Sequence, residues 1–203
     1  MIRTWRLDDS RQTLVLGSQN AHLAEVVYWG PRLPDEADLE VVYRANAIDV
    51  TGGMLDLNPE LSICPEATRT FPGQPGLVIR QGDGRPYLPK FCFANDEIAE
   101  DSLKLSFTDQ DGTLTYHACF SIDPVTHVIE AKSVLEATHP MHLHWMSAPV
   151  FPAPQSSDEM IDFAGRWCGE FQLNRTPWNA GIRYRENRTG RTGHEHFPGL
   201  IVP

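Results

Sequence analysis

The chain has 203 residues, of which 41% are hydrophobic and 22% charged, enough apolar material for one large folded domain and too much for a disordered segment. Its 27 acidic residues outnumber 17 basic ones for a net charge of -10, a balance that repels polyanions and excludes nucleic acid as an expected partner. The one basic concentration, 183–191, contains Glu186 and is followed by Glu195, and reads as a paired or solvated strand and turn.

Taken along the chain, period-two or continuous β-type runs appear at 12–16 and 25–28. Residues 38–44 fit either a strand or a short helix. A further run covers 76–80, and 96–103 has the composition of a weak helix. Runs at 103–108 and 114–122 flank Asp109-Gln110-Asp111-Gly112, a hairpin turn by its Asp and Gly residues, and Ile122-Asp123-Pro124-Val125-Thr126-His127 separates two more strands. A meander over 103–136 is predicted. Residues 149–157 form a short loop of Pro, Ala and Ser, and no repeat or βαβ alternation occurs. A two-layer antiparallel sandwich within a single domain, 1–203, buries one face of so many strands without helices. The apolar end 197–203 carries no polar cap, which leads us to expect that a longer protein continues beyond it.

No stretch reaches the roughly 20 apolar residues that span a bilayer, and Met1-Ile2-Arg3-Thr4-Trp5-Arg6 lacks the apolar centre of a signal peptide. The expectation is a cytoplasmic protein without a membrane partner. Cys64, Cys92, Cys119 and Cys168 are far apart and set among apolar residues, which predicts four reduced, mostly buried thiols rather than a zinc site.

Few residues suggest chemistry. His194-Glu195-His196 and His142-Leu143-His144 each put two imidazoles on one face of an extended segment, yet no Glu follows at the spacing of a cupin metal site, so neither metal nor cofactor is expected. No nucleophile elbow or phosphate-cradling glycine loop is present. Asp8 with Asp9 and Asp158 with Glu159 are adjacent carboxylates whose side chains point apart. A sugar site needs an aromatic ring beside polar groups. Among Trp29, Trp145, Trp167 and Trp178, the alternation around Trp145 places it in the core, whereas Trp178 follows Pro177 in a loop and is the better candidate for exposure.

Four blocks carry a resemblance. Phe163-Ala164-Gly165-Arg166-Trp167-Cys168-Gly169-Glu170-Phe171-Gln172-Leu173-Asn174-Arg175, followed by Arg185-Glu186-Asn187-Arg188-Thr189-Gly190-Arg191-Thr192-Gly193-His194-Glu195-His196-Phe197-Pro198-Gly199, closely resembles the N-terminal domain of family 36 glycoside hydrolases, which are mainly α-galactosidases. Upstream, Tyr28-Trp29-Gly30-Pro31-Arg32-Leu33 and Pro65-Glu66-Ala67-Thr68-Arg69-Thr70-Phe71-Pro72-Gly73-Gln74-Pro75-Gly76-Leu77 resemble that family's early strand and its glycine- and aromatic-rich loop. The resemblance implies an all-β fold, an antiparallel β-supersandwich of the galactose-mutarotase-like type. It also implies that both catalytic aspartates lie on a (β/α)8 barrel C-terminal to this chain, so that no catalytic residue falls within it.

The longer protein would then hydrolyse terminal α-linked galactose with retention, using two carboxyl groups about 5 Å apart and no metal. The implied partners are the barrel, α-galactoside sugars and further copies of the chain in a tetramer. Loops of this domain would reach a neighbouring subunit's active site, which makes Asp56 and Arg69 the candidate sugar contacts. Thr68 and Thr70 depart from the family's glycines around that Arg, and Gly193 from its Ser. Thr reaches positive φ only at a cost, so the loop's conformation is placed in question. Two rivals remain: an independent carbohydrate-binding module, requiring exposed aromatic residues, and a cupin-like metalloenzyme, requiring metal at His194 and His196 or at His142 and His144.

Overall fold

The computed structural model describes residues 1–46, 59–154, 156–179, 181–186 and 199–203. The chain divides into two compact units, Met1–Pro152 and Ala153–Pro203, and the boundary falls within the loop 149–157. Among the described residues every paired strand is antiparallel and no sheet closes into a barrel.

In the first unit, β1 (Ile2–Asp8), β2 (Gln12–Gln19) and β3 (Glu25–Pro31) form one sheet with β2 at its centre. Thr13 to Ser18 of β2 are all buried, on both faces of the strand. One reason is α1 (Leu39–Ala45), whose Tyr43 ring lies so close to Gly17 that a Cβ there would sit 2.1 Å from the ring. The alternative at 38–44 is decided by local chemistry: Asp38 caps the helix by accepting from the N–H groups of Glu40 and Val41, and Glu40 pairs with Arg44 one turn later.

β4 (Leu77–Gln81) and β5 (Pro86–Tyr87) pair with each other, β6 (Phe91–Ile98), β7 (Ser102–Asp109), β8 (Leu114–Ile122) and β9 (Ile129–Ala137) run as a four-stranded meander, and β10 (Met141–Met146) returns to the edge of β4. The predicted meander is thus present and gains β6 at its front. Strict alternation sends Leu103, Leu105 and Phe107 of β7 and Leu114, Tyr116, Ala118, Phe120 and Ile122 of β8 to one side. They meet Trp5, Leu7, Leu14, Leu16, Ile79 and Phe91 in a single apolar core. Trp5 links two sheets, its ring 5.5 Å from that of Phe93 and its indole N–H donating to Asp96 at 2.6 Å.

Three expectations are corrected. Residues 96–103 are not helical: they close the β6–β7 hairpin, with Glu97 opposite Lys104 in an ion pair of 2.8 Å, and strand pairing overrides the local composition. The thiols are not mostly buried. Only Cys64 is; Cys92 lies between core-facing Phe91 and Phe93 and therefore points outward, Cys119 is part-buried by the same alternation, and Cys168 is exposed. Trp145 is not a core residue, being 42% exposed, because β10 is an edge strand and a bulge at His144 breaks its alternation.

The second unit is a hairpin of β11 (Glu159–Ala164) and β12 (Gln172–Pro177), with Ile161 also bridging Ile201. Of the basic stretch, residues 183–186 are described and form no strand: Arg185 binds the Asp162 carboxylate and the carbonyl of Phe163, while Arg183 donates to Asn179.

Turn carboxylates tie the strand ends together. Asp9 accepts from the N–H groups of Arg11 and Gln12 and from the His127 ring at 2.8 Å, joining the β1–β2 turn to the β8–β9 turn, where His127 itself holds a left-handed φ of 61°. Burial would raise the pKa of Asp9, but these hydrogen bonds outweigh it and hold the carboxyl well below the usual range. A depressed folded pKa stabilises the protein fully above the ordinary carboxylate pKa, and the contribution is lost as pH falls below that value. Asp9→Asn is therefore expected to lower the melting temperature at pH 7 and to flatten its decline between about pH 5 and pH 2; calorimetry across that range measures both.

Candidate functional site

Of the two residues singled out for sugar contact, Asp56 lies outside the described residues, as do His194 and His196. Arg69 lies on a 3-10 turn, Ala67–Arg69, in the stretch 59–76 between α1 and β4. That stretch is held at both ends. At its start Glu60 meets the His22 ring at 3.2 Å, Ser62 bridges Glu25, and Ile63 N–H donates to the carbonyl of Ala24. Burial, followed by the charge of Glu60, raises the Glu25 pKa against the hydrogen bond from Tyr43. At its end Gly76 passes so close to Cys64 that a Cβ would sit 2.8 Å from the Cys64 backbone, which only glycine permits.

Between these anchors the organising group is Glu66. Its side chain is almost fully buried; one carboxylate oxygen accepts the Phe91 N–H at 2.7 Å and the other accepts Nε of Arg69 at 2.7 Å. The Arg69 guanidinium also donates from Nη2 to the carbonyl of Phe91 at 3.0 Å. Burial pushes the Glu66 pKa up, and the Phe91 N–H and the Arg69 ion pair counter it. Nη1 of Arg69 has no partner among the described residues, so one edge of the guanidinium remains for a further acceptor. Neither Glu66 nor its bond to the start of β6 was singled out by the sequence; the pair Glu66 and Arg69, three residues apart, was the available signal.

The threonines around Arg69 take on definite roles. Thr68 Oγ1 donates to the carbonyl of Pro89, while Thr70 adopts a left-handed φ of 61°, its N–H donating to the carbonyl of Ala67 and its hydroxyl to that of Arg69. The backbone thus keeps the conformation that glycine would adopt freely, and a β-branched residue holds it at a cost of about 1 kcal/mol or more.

The remaining candidates do not converge. Asp8 binds Arg6 and Thr13 whereas Asp9 faces His127, and Glu159 pairs with Arg175 on β12, so these three of the four adjacent carboxylates are committed to structure. The Asp109 carboxylate bonds Tyr87 and the N–H groups of Thr113 and Leu114 in the predicted hairpin turn. His142 and His144 are exposed on β10, and no group of three His, Cys, Asp or Glu among the described residues lies close enough to hold a metal ion. Among the tryptophans, Trp29 and Trp167 are exposed and Trp178 is half-buried.

Comparison with known proteins shows what the arrangement belongs to. Residues 22–203 match the family model of the glycosyl hydrolase family 36 N-terminal domain. An α-galactosidase of Escherichia coli is 30% identical over 205 residues, covering 97% of this chain and 27% of that protein. The crystal structure of the α-galactosidase from Lactobacillus brevis superposes with a TM-score of 0.81 at 16% identity, over 98% of this chain and 30% of that one. A variant of the α-galactosidase AgaA from Geobacillus stearothermophilus, solved with raffinose, superposes with a TM-score of 0.76 at 16% identity over 98% and 31% of the two chains. The expected antiparallel β-supersandwich is the fold shared with these structures. The chain spans under a third of each protein's length.

Two outcomes test the loop. Arg69→Ala leaves Glu66 buried beside no counter-charge and should destabilise the protein by about 3 kcal/mol at pH 7, less in acid where Glu66 is protonated; denaturant melts at the two pH values read this. Thr70→Gly relieves the left-handed strain and should stabilise by about 1 kcal/mol; a loss of stability would show that the hydroxyl bond to the Arg69 carbonyl matters more.

Proposed function

This chain belongs to the family of glycosyl hydrolase family 36 N-terminal domains, and from that membership we propose that it is the non-catalytic N-terminal part of an α-galactosidase. The longer protein hydrolyses terminal α-linked galactose with retention on a barrel that carries both catalytic carboxylates. The observation that carries this reading is the family match over 22–203, in a chain that spans about 27% of its α-galactosidase relative.

The carboxylates support a division of labour. Asp8, Asp9, Glu66, Asp109, Glu159 and Asp162 are each engaged in turns, ion pairs or strand ties, which leaves none of them as one of two facing acids across a glycosidic bond. Packing on the barrel and support of an oligomer are favoured by the second unit, where Trp167, Leu173, Ile182 and Tyr184 are exposed. Large apolar groups in such numbers on so small a unit mark a docking surface. In that assembly Asp56 and the free edge of Arg69 line the active site of a neighbouring subunit, where a guanidinium and a carboxylate suit sugar hydroxyls. We further infer that the protein works in the cytoplasm.

The experiment is hydrolysis of a chromogenic α-galactoside by this 203-residue chain and, in parallel, by the product of the uninterrupted reading frame. Turnover is expected only from the longer protein. Turnover by the shorter chain, retained after removal of contaminants and lost on mutation of its own carboxylates, would overturn the assignment.

A further inference from the structure

Trp178 has no part in the reading above. In the second unit it lines a cavity of about 450 Å³ together with Met160, Pro177, Asn179, Arg183 and Leu200. Its backbone N–H donates to the carbonyl of Asp158 at 2.9 Å and its indole N–H to the carbonyl of Pro154 at 3.0 Å, so the side chain is held at both ends. With the indole donor engaged, what Trp178 offers the cavity is the apolar surface of its ring. Met160, 5% exposed, adds a thioether and fixes the inner limit.

The polar side of the cavity is equally ordered. Arg183 Nη2 donates to Asn179 Oδ1 at 2.8 Å, and Gly181 takes a φ of 142°, a conformation that side-chain-bearing residues rarely adopt. The amide NH2 of Asn179 and the other N–H groups of Arg183 have no acceptor among the described residues. An aromatic surface, aliphatic walls and exposed N–H donors therefore share one open cavity, within the size range of small-ligand sites.

A pyranose ring matches this set. Its C–H face packs on an aromatic ring, and its hydroxyl oxygens accept from amide and guanidinium donors. A simple anion would use Arg183 and leave the ring and Met160 unserved. We propose that the second unit carries a sugar-binding site of its own, separate from Asp56 and Arg69, which takes a neutral hexopyranose unit of an oligosaccharide stacked on Trp178 with hydroxyls on Arg183 and Asn179. Such a site holds a saccharide chain near the enzyme and takes no part in bond cleavage.

The probe sugars are taken from the proposed function, whereas the site needs no turnover, so binding without activity in this chain leaves the two readings separately testable. Methyl α-galactoside and raffinose are titrated into the 203-residue chain while the indole N–H signals are followed by NMR. A saturable shift of the Trp178 signal is expected at millimolar sugar, an affinity of the order set by one stacked ring and a few hydrogen bonds. Arg183→Ala and Asn179→Ala, which leave both anchors of Trp178 intact, should each weaken binding about tenfold by the same signal, whereas Trp167→Ala should leave it unchanged. The absence of any saturable shift in the folded chain would overturn the proposal, as would binding that survives Arg183→Ala and Asn179→Ala undiminished.

Discussion

A carboxylate taken out of water must be given charge or hydrogen bonds in return, and Glu66 is buried where two runs of chain meet. The Phe91 N–H and the Arg69 guanidinium are the groups that meet this demand, and neither can move without exposing the other's partner. Phe91 opens β6 and sits in the apolar core, so the bond places the 3-10 turn against the start of the four-stranded meander. Much else follows from that placement. Thr70 must turn left-handed to let the chain leave Arg69, and Gly76 must lack a side chain to pass Cys64 on the way into β4. The loop's conformation is thus constrained by one buried charge.

The same economy of polar groups runs through the other turns of the chain. Carboxylates are abundant, and several of them serve turns: Asp38 caps a helix, Asp109 and Asp123 close hairpins, and Asp9 joins two turns through His127. An acid and a nucleophile acting together need a shared open space between them. These residues instead have their lone pairs filled by backbone N–H groups, which stabilises strand connections and removes them from chemistry. Arg69 shows an intermediate condition, with two nitrogens committed to structure and the third without a partner among the described residues.

The two units differ in how they satisfy their apolar residues. The first encloses a core drawn from three sheets, with aromatic pairs such as Phe91 and Tyr116 at 5.9 Å between ring centres. Among its described residues the second has two paired strands and little core beyond Met160, and it leaves large side chains exposed. Such surface is what a docking partner covers. Trp178 stands apart from it, fixed by two hydrogen bonds to backbone carbonyls and facing a cavity with its own polar lining. A ring so immobilised binds without the loss of freedom that a mobile one incurs.

Strand order along the meander was legible from residues alone, because alternation in 114–122 and the Asp and Gly residues of the hairpin turn are properties of neighbours in sequence. The choice of an antiparallel all-β fold followed from the same period, and the family from the order of blocks such as 163–175 and 185–199. Of the candidate site, only the identity of Arg69 and its neighbours was readable. What the sequence could not express were relations between distant segments. The burial of Glu66 against Phe91, the exposure of Trp145 on an edge strand, the outward turn of Cys92 and the conversion of 96–103 from apparent helix to hairpin all depend on which strands lie alongside. Local sequence sets the period of a segment. Which face of that period meets solvent, and which charge meets its counter-charge, is decided only when the sheets pack.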